Sequence, residues 1–391
     1  MGIASIRLDK FQRELCQLIT DDLGESVSAS VQTFVSSLGN QAAFEMAHVN
    51  QLASIVAHAY MTEVGREKVP FHWRQAHEET HSCISSYLCE MDRVADQLAE
   101  EHIPLVALKN AGIARGIYPC PGCCPMGDLD VLVEKRHFRH AHQILIDDGY
   151  HFEFRSPLEE AELEAAERSG GAEYWKVLSN GEKLWFELQW RPVAGRWIRS
   201  DQEPSAEELM ARSIAIPGTE VRLLSPEDNL LQVALHTAKH SYVRAPGFRL
   251  HTDVDRIARR QSIDWDIFLQ RVLALQVKTA VYFSLAIPHL LFQTPIPDEV
   301  LARLKPSVWK EQLISRWLQR LGLFNPDEKK FSKLGFIFFT ALLYDDAYGL
   351  YQGAFPDKIW MQKRYRFDNS LLLPYYHVRR LFDLAFRRMS T

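Results

Sequence analysis

The spacing of apolar residues along the 391-residue chain changes character twice. Up to about residue 100, stretches such as "QAAFEMAHVNQLASIVAHAYM" repeat apolar positions every three or four residues, which predicts helices. From Ile103 to about Pro192, short apolar runs alternate with helical stretches, the pattern of an α/β unit. "IPLVALKN" predicts a strand that turns at Asn110 into the helix "AGIARGIY". In "PMGDLDVLV" (125–133), Leu129, Val131, Leu132 and Val133 predict a strand buried on both faces. "HFRHAHQILIDDGY" places Phe138, Ala141 and Leu145 on one helical stripe, with Gly149 as the stop. "SPLE" (156–159) predicts a capped helix start at Ser156, with Pro157 in the first turn and Glu159 closing a capping box. "AEYWKVLSNGEKLWFELQW" predicts two strands joined at Asn180-Gly181, a dipeptide favoured by type I′ hairpin turns. From Ser225 onward helical spacing returns, with Leu230, Leu231, Ala234, Leu235 and Ala238 forming a buried stripe behind a Ser225 cap. The expected class is α+β: a small mixed-sheet core at 101–222 between helical regions at 1–100 and 223–391.

The longest apolar runs, 334–344 and 280–292, fall short of the about 20 residues that a membrane span needs, so both predict core helices. A formal net charge of -5 argues against a dedicated nucleic-acid binder. Six cysteines without a disulfide-scaffold spacing suit a reducing compartment. The opening "MGIASIRLDK" has no secretory apolar stretch, and Ile6 stands where a myristoylation motif needs Ser or Thr, so a cytoplasmic location is expected.

Asp128 and Asp130 are the chemically conspicuous pair. Positions two apart on a strand share a face, so two like charges converge there. A third acid, Glu187, sits on an otherwise apolar returning strand. Three such carboxylates make an oxygen-rich site suited to Mg²⁺ or Mn²⁺ with phosphates completing the shell. Metals held there would activate an attacking hydroxyl and stabilise leaving pyrophosphate, and Glu187 would accept the acceptor's proton. Gly127 would let phosphates approach the backbone closely. The competing structural reading has Asp128 as a strand cap, Asp130 in an ion pair and Glu187 on an edge.

The ordered set Lys109, Tyr118, Asp128, Asp130, Gly149-Tyr150, "ELQW" with Glu187, and "LSPEDNLLQVALHTAKH" with His236 and His240 resembles the uncharacterised nucleotidyltransferase family. That family belongs to the polymerase-β-like nucleotidyltransferase superfamily and occurs in bacterial genomes, with some members near peptide natural-product clusters. The resemblance runs from about residue 103 to the 290s. It implies metal-dependent transfer of a nucleoside monophosphate from a nucleoside triphosphate, ATP being the expected donor, to an acceptor hydroxyl on a small molecule, peptide or protein. It further implies that Asp128, Asp130 and Glu187 are the metal carboxylates and that the Lys109-Asn110 turn meets the phosphates. Three positions depart from the family pattern: Asn110 replaces a glycine, Cys124 an arginine and Gln189 a histidine. A catalytically weakened member that binds only a nucleotide or a partner is the alternative they raise.

Other motifs compete for attention. His236, Lys239 and His240 share one helix face and either look across the cleft at the nucleotide or form a hydrogen-bonded flank. In "FRLHTDVDR", Arg249, Asp253 and Asp255 read as an ion-pair group. "HEETH" matches the zinc-hydrolase pattern through His77, Glu78 and His81, but its flanks are polar and no third ligand is evident. "CPGCC" (Cys120, Cys123, Cys124) has one C-x-x-C pair and no second pair at the usual spacing, so a loop of free thiols is expected. The basic, aromatic segment "KRYRFDNSLLLPYYHVRRLFDLAFRR" predicts a docking helix with an arginine-rich outer face.

Overall fold

The computed structural model describes residue 3 and residues 6–20, 30–153, 163–193 and 198–383. The capping box expected at 156–159 lies outside the described residues. Helices Lys10–Ile19, Val31–Leu38, Asn40–Val49, Ala53–Val64 and Phe71–Glu100 build the N-terminal region, as the spacing predicts. In the long helix Phe71–Glu100, Ile84, Tyr87, Met91, Val94 and Leu98 are buried. They recur at three- and four-residue intervals and give one apolar stripe that packs toward the sheet.

Seven strands follow: β1 (Leu105–Ala107), β2 (Leu129–Leu132), β3 (His151–Glu153), β4 (Gly171–Val177), β5 (Lys183–Gln189), β6 (Ile214–Ala215) and β7 (Val221–Leu223). They form one mixed sheet in the order β3-β4-β5-β2-β1-β7-β6, an α+β fold. β2 lies at its centre, parallel to β5 and antiparallel to β1. All four β2 residues are buried, so the strand can afford no polar side chain except one with partners. The strands β3, β6 and β7 carry too few residues to leave a clear alternation, and the sequence pattern did not reveal them.

The β4–β5 hairpin forms where expected, but its turn differs. Gly181 is left-handed at φ 86°, whereas Asn180 is not among the residues with positive φ. The Gly181 N–H bonds Leu178 O at 2.9 Å and the Leu178 N–H bonds Glu182 O at 2.8 Å. This is a type I turn followed by a glycine bulge, in which only one residue needs the left-handed conformation.

Beyond the sheet, Ser225 caps helix Pro226–Lys239 by accepting the Asp228 N–H at 3.3 Å. This helix, Arg249–Arg260 and Lys278–Phe292 form a buried wall. The run 334–344 is only half a core element: Phe339, Leu343 and Tyr344 are buried in the core, whereas Leu334 and Phe338 on the other face of helix Lys333–Ala341 are exposed. Helix Leu373–Phe382 also departs from expectation. None of its residues is buried, and Tyr375, Val378 and Phe382 face solvent. It is held by Tyr376 stacked on Phe367 at 4.2 Å and by Arg380 donating to Gly353 O at 2.9 Å. No described helix is long and apolar enough to cross a membrane.

Candidate functional site

β2 and β5 run side by side with Asp130 directly opposite Glu187. Asp128 lies two residues before Asp130, just ahead of the strand, and returns to the same face. One carboxylate oxygen from each of the three acids falls within 4.8 Å of the others. The sequence-predicted triad is therefore one cluster. β4 places Glu173 opposite Glu187, extending the acidic row by a residue that the sequence reading missed. An acid interrupting the aromatic run of "GAEYWKV" was the available signal.

Lys109 reaches this cluster from the turn after β1. Its ammonium pairs with Asp130 and lies 3.7 Å from Glu187. The Gln189 side-chain amide donates to Asp130 and to Glu187, at 2.6 Å each. Gln189 thus braces the two acids. Lys109 itself is left-handed, at φ 47°, and its N–H donates to Gln232 Oε1 at 3.2 Å. Gln232 stands inside the apolar run "NLLQVALH", a buried polar position whose role needed the fold to appear.

The three departures noted in the sequence take definite places. Positive φ falls on Lys109 and not on Asn110, so Asn110 needs no glycine-like backbone. Its side-chain oxygen accepts from Arg249 Nη1 at 3.3 Å. Arg249 also pairs with Asp253 at 3.3 Å, and Tyr118 donates to Asp253 at 2.6 Å. The expected ion pair forms between Arg249 and Asp253 and fastens the turn after β1 to helix Arg249–Arg260, whereas Asp255 lies outside it and pairs with Arg259 at 2.9 Å. Cys124 is fully buried, with its thiol toward Asn110 O at 3.8 Å. Gly127 is exposed, and a Cβ there would meet nothing within 4 Å, so packing does not dictate the glycine.

The electrostatics show a shortage of positive charge. Burial pushes Asp130 well above the usual carboxylate range against the pull of Lys109, and Glu187 and Asp128 push it further. Asp128 is raised by burial and by Glu187, while Lys109, Arg249 and Lys239 oppose. Burial acts upward on Glu187 too, but Lys109, a hydrogen bond with Asp130, Lys239 and Gln189 together hold it at about 2. The Lys109 ammonium is a stand-in cation among oxygen ligands of the kind hard divalent metals prefer. Asp128, Asp130 and Glu187 fit such an ion.

His236 and His240 meet edge to face at 4.7 Å on helix Pro226–Lys239 and its C-cap. Burial drives His236 well below its ordinary pKa, and Lys109 acts in the same direction, so it is a neutral imidazole at the wall of the site. Lys239 is felt by both Asp128 and Glu187.

The zinc-hydrolase arrangement does not form. Glu78 is exposed and pairs with Arg66 at 2.5 Å. His77 turns toward Cys120, whereas His81 lies near Ser85 at 3.5 Å. His81 belongs to neither potential metal-binding group among the described residues. The two rings lie 6.2 Å apart on one helix face, but among the described residues no third ligand joins them to a common metal position.

The model of a family described as uncharacterised nucleotidyltransferases matches residues 36–293. No curated protein and no solved structure matches the chain.

Proposed function

The chain belongs to the uncharacterised nucleotidyltransferase family, and from that premise we propose metal-dependent transfer of a nucleoside monophosphate from a nucleoside triphosphate to an acceptor hydroxyl. The observation that carries this reading is the convergence of Asp128, Asp130 and Glu187 within 4.8 Å on the central strands of the sheet. A bound Mg²⁺ or Mn²⁺ would supply charge neutralisation for the triphosphate and would lower the pKa of the attacking hydroxyl. Asp128, just ahead of β2, and Asp130 on it would hold the metal from one side. Glu187, kept ionised by its cationic neighbours, would complete the set, and so weak a base would take the acceptor's proton from a hydroxyl already acidified by the metal.

Lys109 neutralises the acids before a nucleotide arrives. Its N–H is already committed to Gln232, so Lys109 itself would meet a phosphate through its ammonium. His236, Lys239 and His240 form the facing wall, with Lys239 the cation placed to attract the triphosphate. ATP is the expected donor, and the acceptor is a small molecule, a peptide or a protein side chain.

Gln189 favours a second reading, a weakened member that binds nucleotide without turnover, because its amide occupies oxygens of both Asp130 and Glu187. Calorimetric titration of ATP, CTP, GTP and UTP with Mg²⁺ tests both. Binding should require metal and should weaken by about 100-fold or more in Asp128→Asn/Asp130→Asn. Equal binding by the wild type and the double variant would sink both readings. Binding without pyrophosphate release across an acceptor screen would favour the second.

A further inference from the structure

The loop before β2 carries a second cluster of metal-ligating side chains. Cys120 precedes the short turn Pro121–Cys123 and Cys123 ends it, with the Cys123 N–H bonding Cys120 O at 3.0 Å. This brings the two sulfurs to 3.5 Å. The long helix contributes His77, whose Nε2 lies 3.3 Å from Cys120 Sγ. Helix Ala53–Val64 contributes His58, whose Nδ1 lies 3.8 Å from the same sulfur. One ligand atom from each of the four residues lies within 4.8 Å of every other.

These separations lie close to those a tetrahedral metal would impose. Tetrahedral zinc with Zn–S near 2.3 Å and Zn–N near 2.0 Å requires S···S of about 3.8 Å and S···N of about 3.5 Å. A disulfide would instead need the sulfurs at about 2.0 Å. The donor set, two sulfurs and two imidazoles, selects zinc over the hard cations suited to the acidic triad. Gly122 fits the same picture, since a Cβ there would meet His77 Nε2 at 2.5 Å and displace the ring.

We propose that Cys120, Cys123, His58 and His77 form a structural zinc site that fastens the loop before β2 to the two helices. Four side-chain ligands leave no open position, so the site holds structure and does no chemistry. Both thiols lose their protons to solvent when the metal binds. Asp128 lies five residues beyond Cys123, so the clasp also sets where the first acid of the triad enters the sheet. His77 thus serves zinc with partners far away in sequence and not with His81.

The test is metal analysis of the full chain, purified under reducing conditions from zinc-supplemented growth and desalted without chelator. About one zinc per chain is expected. His58→Ala and Cys123→Ser should each lose about tenfold or more of it, while His81→Ala and Asp130→Asn should keep it. Should Cys123→Ser fail to fold, cobalt reconstitution of the wild type replaces it, with thiolate-to-cobalt charge-transfer and tetrahedral ligand-field bands expected. Absence of both zinc and those bands from the wild type would overturn the proposal. So would zinc that survives His58→Ala, or zinc that leaves with His81→Ala or Asp130→Asn.

Discussion

Several side chains here are held in states that water would not allow. His251 is fully buried; its Nε2 lies 2.9 Å from Tyr242 O, and its Nδ1 has no hydrogen-bond partner. Burial, only partly offset by the Tyr242 carbonyl, lowers its pKa from 6.5 to about 4. Protonation would bury a charge and an unpaired N–H, so between these values the unfolded chain binds more protons than the folded one. Stability should be full above pH 6.5 and should fall as the pH drops toward 4, by about 3 kcal/mol from this residue. Thermal midpoints measured from pH 7 to pH 4 for the wild type and His251→Gln would check this. Parallel curves would show that His251 is not a source of the acid sensitivity. Lys109 is the opposite case, a buried cation raised above its ordinary pKa by Asp130 and Glu187 against the cost of burial. The charge of these residues was legible in the sequence, but the sign of each shift depended on neighbours that only folding supplies.

At the scale of elements, the β4–β5 hairpin matters most, because it carries Glu187 into register with Asp130. Its turn requires a left-handed residue at Gly181, where φ is 86° and a Cβ would find open space. Gly181→Val should therefore destabilise through backbone strain alone, by about 1–2 kcal/mol, without a steric clash. Urea unfolding of that variant would read the loss, and an unchanged midpoint would place the turn outside the cooperative structure. Hairpin, central strand and long helix were all visible in the sequence, because each has enough residues for its period to show. The exact turn type was not, since Asn-Gly serves both a type I′ turn and a type I turn with a glycine bulge.

In the whole molecule, one apolar cluster runs from Leu15 through Leu98, Val131, Phe186 and Leu230 to Tyr344. It joins all three regions marked out by the sequence pattern. Polar contacts reinforce it: Tyr87 donates to Lys183 O at 3.1 Å, and Arg93 Nη1 to Asp148 at 2.8 Å, both linking the long helix to the sheet region. Calorimetry should show a single main unfolding transition, because no region can be released without stripping apolar surface from another. Two well-separated transitions would contradict that view.

Apolar periodicity by itself determined the helices, the central strands and the α+β class, since burial of one face is a local demand written every two or every three to four residues. The spacing of Asp128 and Asp130 likewise determined that two carboxylates share a face. The partners were decided by the tertiary structure. Glu187 meets Asp130 across strands 57 residues apart in the chain, Gln189 braces both acids, and His77 finds Cys120 on a loop 43 residues away. Sequence spacing constrains only neighbours along one element, whereas a metal or a buried charge collects its ligands through space.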